Sequence, residues 1–261
     1  MEGVAFHSMK LRVLGSSGAE LGGYNLPAFL LDRYLLLDAG TIGPAIKEAE
    51  QWKIRYILIT HAHLDHIRGI PFFADNLLMR NKRHSVTLIS ISHVLEALKN
   101  NLLNDILWPD FTRIPDSNKP ILKLKIVVPG RTFTLCGYRV SVYSVNHSVP
   151  AVGYIVEDGQ GKRLLYTGDT GPTDSIWSAA DSIDCAVVEV SFPNRMREVA
   201  IKIGHLTPRL LLKELNKMGN LPRKILVTHP KPQYLRQIRR EIEALRIKNI
   251  RILKDGETYE I

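Results

Sequence analysis

Three histidines and an aspartate stand within six positions of this chain, in His61-Ala62-His63-Leu64-Asp65-His66. Imidazole nitrogens and carboxylate oxygens are the ligands of borderline and hard divalent cations. A cluster this dense is poorly explained by packing or as a solvated loop. The glutamate of His-Glu-x-x-His is missing, which excludes the helix-borne zinc protease motif. The His-x-His-x-Asp-His order suits a loop that wraps two ions side by side. Three further donors recur downstream: His147 in Val145-Asn146-His147, Asp169 in Thr167-Gly168-Asp169 and His229 in Val227-Thr228-His229. Two ions about 3.5–4 Å apart need a set of this size and a bridging group. The chemistry such a set implies is metal-dependent hydrolysis.

Each donor group follows an apolar run that reads as a strand. The run 55–60 delivers His61, 139–145 delivers His147, 163–167 delivers Asp169, and 224–228 delivers His229. A first strand over 10–14 ends in Gly15-Ser16-Ser17-Gly18, a turn able to lie close to a ligand, although it lacks GxxxxGK[ST] and is no nucleotide P-loop. A hairpin turning at Asp32-Arg33, strands over 85–90, 122–128, 151–157, 186–190, 250–253 and 258–261, and an irregular aromatic loop over 104–115 complete the extended parts. Helices are predicted over 43–52, 67–81, 92–103 with Ser92 as cap, 207–218 led by Thr207-Pro208, and 232–245. Strand clusters interrupted by helices without a visible boundary imply one α/β domain over 10–261, a sandwich with helices outside two sheets. Residues 1–9 read as a loose N-terminal tail, with Met1 or Met9 as the functional start.

The chain has 261 residues, 45% hydrophobic and 23% charged, ordinary for a globular protein. No apolar run is long enough for a bilayer span, and the first residues lack the pattern of a cleaved signal, so a cytoplasmic setting without a membrane is expected. A net charge of +9 favours anionic ligands and would tolerate nucleic acid, but the basic residues, Arg80 to Arg83 among them, are scattered. Cys136 and Cys185 sit in strand-like stretches and read as small buried thiols. His7, His84 and His93 have no donors near them and read as surface or capping residues.

The donor set resembles that of the metallo-β-lactamase superfamily, from about Lys10 to the C-terminus. The resemblance implies a four-layer αββα sandwich with the metals at one edge. It implies that His61, His63 and His147 bind one divalent ion, that Asp65, His66 and His229 bind the other, and that Asp169 bridges them. A narrower likeness, to class II 3′,5′-cyclic-nucleotide phosphodiesterases, rests on His-x-His-Leu-Asp-His-Ile-x-Gly, on Leu103 to Thr112 with Trp108-Pro109, on Val188-Glu189-Val190-Ser191-Phe192, and on Gly204-His205-Leu206-Thr207-Pro208. One departure stands out: Pro71-Phe72-Phe73-Ala74-Asp75 follows the first motif where that family carries aliphatics and a Ser-Pro or Ser-Ala. The departure leaves the ligands intact and bears on substrate range.

Hydrolysis of a phosphodiester needs a nucleophile, neutralisation of phosphoryl charge and help for the leaving alkoxide. Two cations supply hydroxide at neutral pH by lowering the pKa of water from 15.7 towards about 7. The expected reaction is attack of a metal-bridging hydroxide on cyclic AMP or cyclic GMP, giving the nucleoside 5′-monophosphate. Asp65 would orient the hydroxide, His205 would donate to the phosphate or leaving oxygen, and Glu189 would orient His205. Ser16, Ser17 and Asn25 read as turn residues before substrate contacts. Trp108 and Phe111 could stack on a purine or close the core. Zinc is the first choice of metal, with manganese or iron as alternatives, since oxygen and nitrogen donors do not separate them. The rivals are an RNA-processing nuclease like tRNase Z, supported by the charge, and a hydrolase of small esters, thioesters or lactams. Against the nuclease, only a tight hairpin separates His147 from Asp169, where that family often inserts a substrate-gripping arm. A homodimer is left open.

Overall fold

The computed structural model describes residues 9–80 and 84–261. Residues 1–8, with His7 and most of the expected tail, and residues 81–83 of the basic run lie outside the described part. The first sheet takes β1 (Lys10–Gly15), β2 (Ala28–Leu31), β3 (Leu35–Leu37), β4 (Tyr56–Leu58), β5 (Val86–Ser90) and β6 (Leu122–Ile126). The second takes β7 (Thr132–Leu135), β8 (Tyr138–Val145), β9 (Ala151–Glu157), β10 (Arg163–Tyr166), β11 (Cys185–Glu189), β12 (Lys224–Thr228) and β13 (Ile250–Ile252). β14 (Thr258–Glu260) returns to the first sheet beside β1. The helices are α1 (Glu48–Gln51), α2 (Leu64–Ile67), α3 (Gly69–Met79), α4 (Ser92–Asn101), α5 (Ser175–Ser178), α6 (Arg197–Lys202), α7 (Pro208–Leu215) and α8 (Leu235–Glu243).

The two sheets are built alike. In each, antiparallel neighbours give way to parallel ones: β3–β4–β5–β6 in the first, β10–β11–β12–β13 in the second. Parallel strands need crossovers, and the crossover helices cover the outer faces. Three apolar clusters follow. Between the sheets, Leu11, Val13 and Phe29 meet Val140, Val142, Tyr154 and Tyr166. Outside the first sheet Leu30 and Ile57 meet Phe73, Leu77 and Leu98; outside the second, Leu165 and Val188 meet Trp177, Leu211 and Ile238. The architecture is therefore the expected αββα sandwich, and strands buried on both faces explain why these runs read as almost wholly apolar. No helix among the described residues is long and apolar enough to cross a membrane.

Four local expectations differ from the structure. The 43–52 stretch forms only α1, because Ile42 and Ile46 are drawn into the outer core and a turn on the Ile42 carbonyl precedes the helix. Cys136 is exposed: with Gly137 it makes the two-residue turn between β7 and β8, both residues at positive φ, as a type I′ hairpin requires. Ser92 is the first residue of α4 and does not cap it. Met9, assigned to the tail, is buried, and its carbonyl accepts from Ile261 N at 2.9 Å.

The inter-sheet cluster holds the two layers of strands in register, and Phe29 lies at its centre, edge-on to Tyr166 with ring centroids 5.3 Å apart. Replacing Phe29 by Ala is expected to cost about 3–5 kcal/mol of stability. Urea unfolding should show the midpoint falling with an unchanged slope.

Candidate metal centre

The strand ends bring the donors together. His61 lies three residues past β4, His147 two past β8, Asp169 three past β10, and His229 follows β12 directly. Leu64–Ile67 is a single helical turn rather than the expected open loop, and it points Asp65 and His66 at the same spot as the strand ends. Carboxyl ends of parallel strands face one edge of the molecule, where loops are free to diverge around a ligand.

Donor atoms of His61, His63 and His147 lie within 4.8 Å of one another, as do those of His66, Asp169 and His229, and those of His61, Asp65 and His66. His147 Nε2 is 3.1 Å from His63 Nδ1, and His229 Nε2 is 3.2 Å from both Asp65 Oδ2 and Asp169 Oδ2. His66 Nε2 is 3.4 Å from Asp169 Oδ1, and His61 Nε2 3.8 Å from Asp169 Oδ2. A tetrahedron with metal–donor bonds of about 2.05 Å has edges of about 3.3 Å, so these separations suit atoms that share a cation. Two buried nitrogens, His61 Nε2 and His66 Nε2, have no hydrogen-bond partner, which a bound cation would supply. The donor set fits a divalent metal, and Asp169 lies against His61, His66 and His229 at once.

Electrostatics divides the histidines. Burial, reinforced by neighbouring imidazoles, holds His61 well below its ordinary pKa and lowers His63. Both are neutral and ready to ligate. His66 is raised well above its ordinary value: burial opposes the charge, but the Asp169 and Asp38 carboxylates outweigh it. A cation binding at His66 must displace a proton, so metal affinity weakens as pH falls.

Residues 33–229 match the model of the beta-lactamase superfamily domain. The chain belongs to the metallo-β-lactamase superfamily. A protein of Yersinia pestis named a probable 3′,5′-cyclic-nucleotide phosphodiesterase is 25% identical over 274 aligned positions, covering 85% of this chain and 78% of its own. A ribonuclease Z of Ignicoccus hospitalis is 20% identical over 239 positions, covering 74% of this chain and 76% of its own. The solved structure of unliganded yeast PDE1 superposes with a TM-score of 0.82 over 98% of this chain and 100% of that one, at 19% identity, a likeness of fold. Membership in this superfamily carries divalent metal binding and hydrolysis with it.

The metallo-β-lactamase site of this chain also contains residues that sequence reading passed over. Asp38, buried and at φ +55, accepts from Thr60 N at 2.7 Å, Thr60 Oγ1 at 2.8 Å, Tyr166 OH at 2.6 Å and His66 Nδ1 at 2.7 Å. Since the Thr60 hydroxyl spends its proton on Asp38, it accepts from His61 Nδ1, 3.0 Å away. Ser191 does the same on the other sheet. Its hydroxyl donates to Glu189 Oε2 at 3.0 Å and accepts from His229 Nδ1 at 2.8 Å. His147 Nδ1 donates to the Gly204 carbonyl at 2.8 Å. Gly204 needs its positive φ of 72°, and a Cβ there would come within 2.6 Å of His147 Cα. His66, His61, His229 and His147 are thus each held through Nδ1 with Nε2 turned toward the cluster. The only sequence signal for Asp38 was its place at a strand end before Gly40; Ser191 lay inside a quoted motif without a role.

Glu189 and His205 are in contact, as expected. His205 Nδ1 is 2.7 Å from Glu189 Oε1, and a His205 donor lies within 4.8 Å of donors of His147 and Asp169. Ser17 makes a turn contact, to the Ala19 carbonyl at 2.9 Å, whereas the Ser16 hydroxyl donates to the distant Asp255 Oδ1 at 2.9 Å. Asn25 binds the Leu14 carbonyl. Phe111 is buried in the outer core and does not stack on a ligand; Trp108 is partly exposed. His84 bonds the Ile54 carbonyl and His93 is exposed. Replacing Asp38 by Asn puts an N–H donor among groups that already donate. Metal affinity, measured by competition with a chromogenic chelator, should fall about 10–100-fold.

Proposed function

We propose that the chain is a phosphodiesterase that opens 3′,5′-cyclic nucleotides to nucleoside 5′-monophosphates with two divalent ions, zinc first among them. The observation that carries this reading is the Glu189–His205 pair beside the seven donors: a metal set alone serves many hydrolases, whereas a buried imidazolium at its edge supports expulsion of an alkoxide. His61, His63 and His147 would hold one ion and Asp65, His66 and His229 the other, with Asp169 between. Such ions supply Lewis acidity toward the phosphoryl oxygens and a hydroxide nucleophile at neutral pH.

The remaining work falls to side chains. Burial alone would favour the neutral acid at Asp65, but its bond from His229 and the nearby charge of His66 keep it well below the ordinary carboxylate range. An ionised Asp65 can accept a hydrogen bond from the attacking oxygen and aim it. At His205 burial disfavours the charged ring, but the Glu189 carboxylate outweighs it by charge and hydrogen bond, and the pKa is raised. With Nδ1 tied to Glu189, the other ring nitrogen is left to protonate the departing 3′ oxygen. The neighbouring carboxylate Glu189 itself accepts from Thr170 N at 3.2 Å and Leu206 N at 3.3 Å, which keeps it in place.

A small substrate is favoured over RNA by one feature. Between His147 and Asp169 the chain runs through β9 and β10, joined by the short Asp158-to-Lys162 turn, where an RNA-gripping arm would have to emerge.

Turnover should be tested on 3′,5′-cyclic AMP, 2′,3′-cyclic AMP and a precursor tRNA, with metal analysis of the same preparation. Hydrolysis of the tRNA and of neither cyclic nucleotide would overturn the reading. Replacing Asp65 or His63 by Ala should abolish turnover. His205→Ala is expected to lower kcat about 10²–10⁴-fold. Because the acid form of His205 persists above its ordinary pKa, the wild-type rate should fall as pH rises through the raised value. Glu189→Gln should move that fall to lower pH.

A further inference from the structure

A cavity of about 580 Å³ opens beside the metal centre, between the loop that holds Tyr24, the loop after β3 and the start of α3. Its wall is continuous with the backbone that presents the donors. Ala39 N donates to the His66 carbonyl at 2.7 Å, and Gly69 N to the Ala39 carbonyl at 2.7 Å. A Cβ on Gly40 would collide with the Asp65 carbonyl. The cavity and the Asp65–His66 turn therefore share one strip of chain, with Arg68 and Gly69 of the lining two and three residues past His66.

The lining has a definite chemistry. Phe72 belongs to the Pro71-Phe72-Phe73 run in which this chain departs from the phosphodiesterase pattern. Phe73 is buried in the outer core, but Phe72 stays 56% exposed at the cavity, its ring edge-on to Trp108 with centroids 5.0 Å apart. Tyr24 adds a second aromatic, and Arg68, paired with Glu20, a cation. The cavity also holds an amide pair: Gln51, 5% exposed, accepts from the exposed Asn76 Nδ2 at 3.2 Å and donates to the Ile46 carbonyl at 3.4 Å. Those two bonds leave the Asn76 carbonyl and the second N–H of each amide for a ligand. A flat aromatic rim stacks on any nucleobase, and a primary amide matches the donor–acceptor edge of adenine. The volume lies within the range of small-ligand pockets.

We infer that this cavity receives the nucleobase of the substrate, with Phe72 as the stacking face and the Gln51–Asn76 amides reading the base edge. The assignment rests on the phosphodiester reading for its substrate, but the site stands or falls by binding as well as turnover. It also gives the departure at Phe72 a purpose: the aliphatic residue of the pattern would offer no flat face.

The test compares wild type, Phe72→Ala and Gln51→Leu. Binding of 5′-AMP and of ribose 5-phosphate is measured by calorimetry, and turnover is followed on 3′,5′-cyclic AMP and on bis(4-nitrophenyl) phosphate. Wild type should bind 5′-AMP at least tenfold more tightly than ribose 5-phosphate, and both variants should collapse that ratio. The KM for cyclic AMP should rise about tenfold with kcat changed less than twofold, and the KM for the aryl diester should rise in Phe72→Ala because a nitrophenyl ring stacks on the same face. Phe72 is exposed, so its truncation should leave folding intact even where loss of buried Gln51 does not. An unchanged binding ratio in Phe72→Ala would overturn the assignment. A collapsed ratio without any cyclic nucleotide turnover would uphold the cavity and sink the phosphodiesterase reading instead.

Discussion

The donors presented by the first sheet depend on a buried carboxylate that stands outside the seven-residue set. Asp38 follows β3 with a left-handed backbone, an arrangement an L-residue adopts at a cost, and gathers four donors from two other strand ends and the α2 turn. An unpaired carboxylate at that depth would be untenable. Paired as it is, it sets the rear nitrogen of His66 directly and that of His61 through Thr60. Tyr166 reaches it from the second sheet, so the same group joins the two halves of the sandwich at the edge where they must cooperate.

The second sheet repeats the device. Glu189 ends β11, bonds His205 directly and steers His229 through the Ser191 hydroxyl. In each half a carboxylate, a hydroxyl and two imidazoles make one unit, and in each the hydroxyl can serve only one way round because it has a single proton. The two sheets share their order of antiparallel then parallel strands, so strand ends that carry equivalent groups arrive at the same edge. The first unit holds His61 and His66 by Nδ1; the second holds His205 and His229. His229 shares the left-handed backbone of Asp38, and its amide donates to the Ser16 carbonyl at 2.7 Å, which secures a conformation the residue would otherwise avoid.

Such a cluster is unfavourable by itself. His147 Nε2 and His63 Nδ1 face each other across 3.1 Å, and two buried nitrogens stand without partners. Nothing local would hold lone pairs this close. Three apolar clusters, one between the sheets and one behind each, fix the strands tightly enough that the ends cannot relax apart, and a bound cation turns the strained arrangement into a favourable one.

The parts legible in the chain were those governed by local pattern. Buried strands announce themselves as β-branched runs, Thr207-Pro208 announces α7 and caps it through Leu210 N, and the seven donors follow strand ends one after another. Reading failed where long-range packing chose. The 43–52 stretch has helical spacing, yet Ile46 and the preceding Ile42 serve the outer core and most of the helix is lost; Cys136 looks like a strand residue and is a turn, because Gly137 beside it completes a hairpin. That these seven donors converge, that Glu189 meets His205 and that the fold is layered could thus be read from the sequence. That Asp38 and Ser191 anchor the ligands, that Phe111 is core while Phe72 faces a cavity, and that the Asp65 turn is helical were decided only in three dimensions. The reason is physical: a ligand's type is written at one position, whereas the partner of its rear nitrogen is whichever group the packed sheets bring within hydrogen-bonding distance.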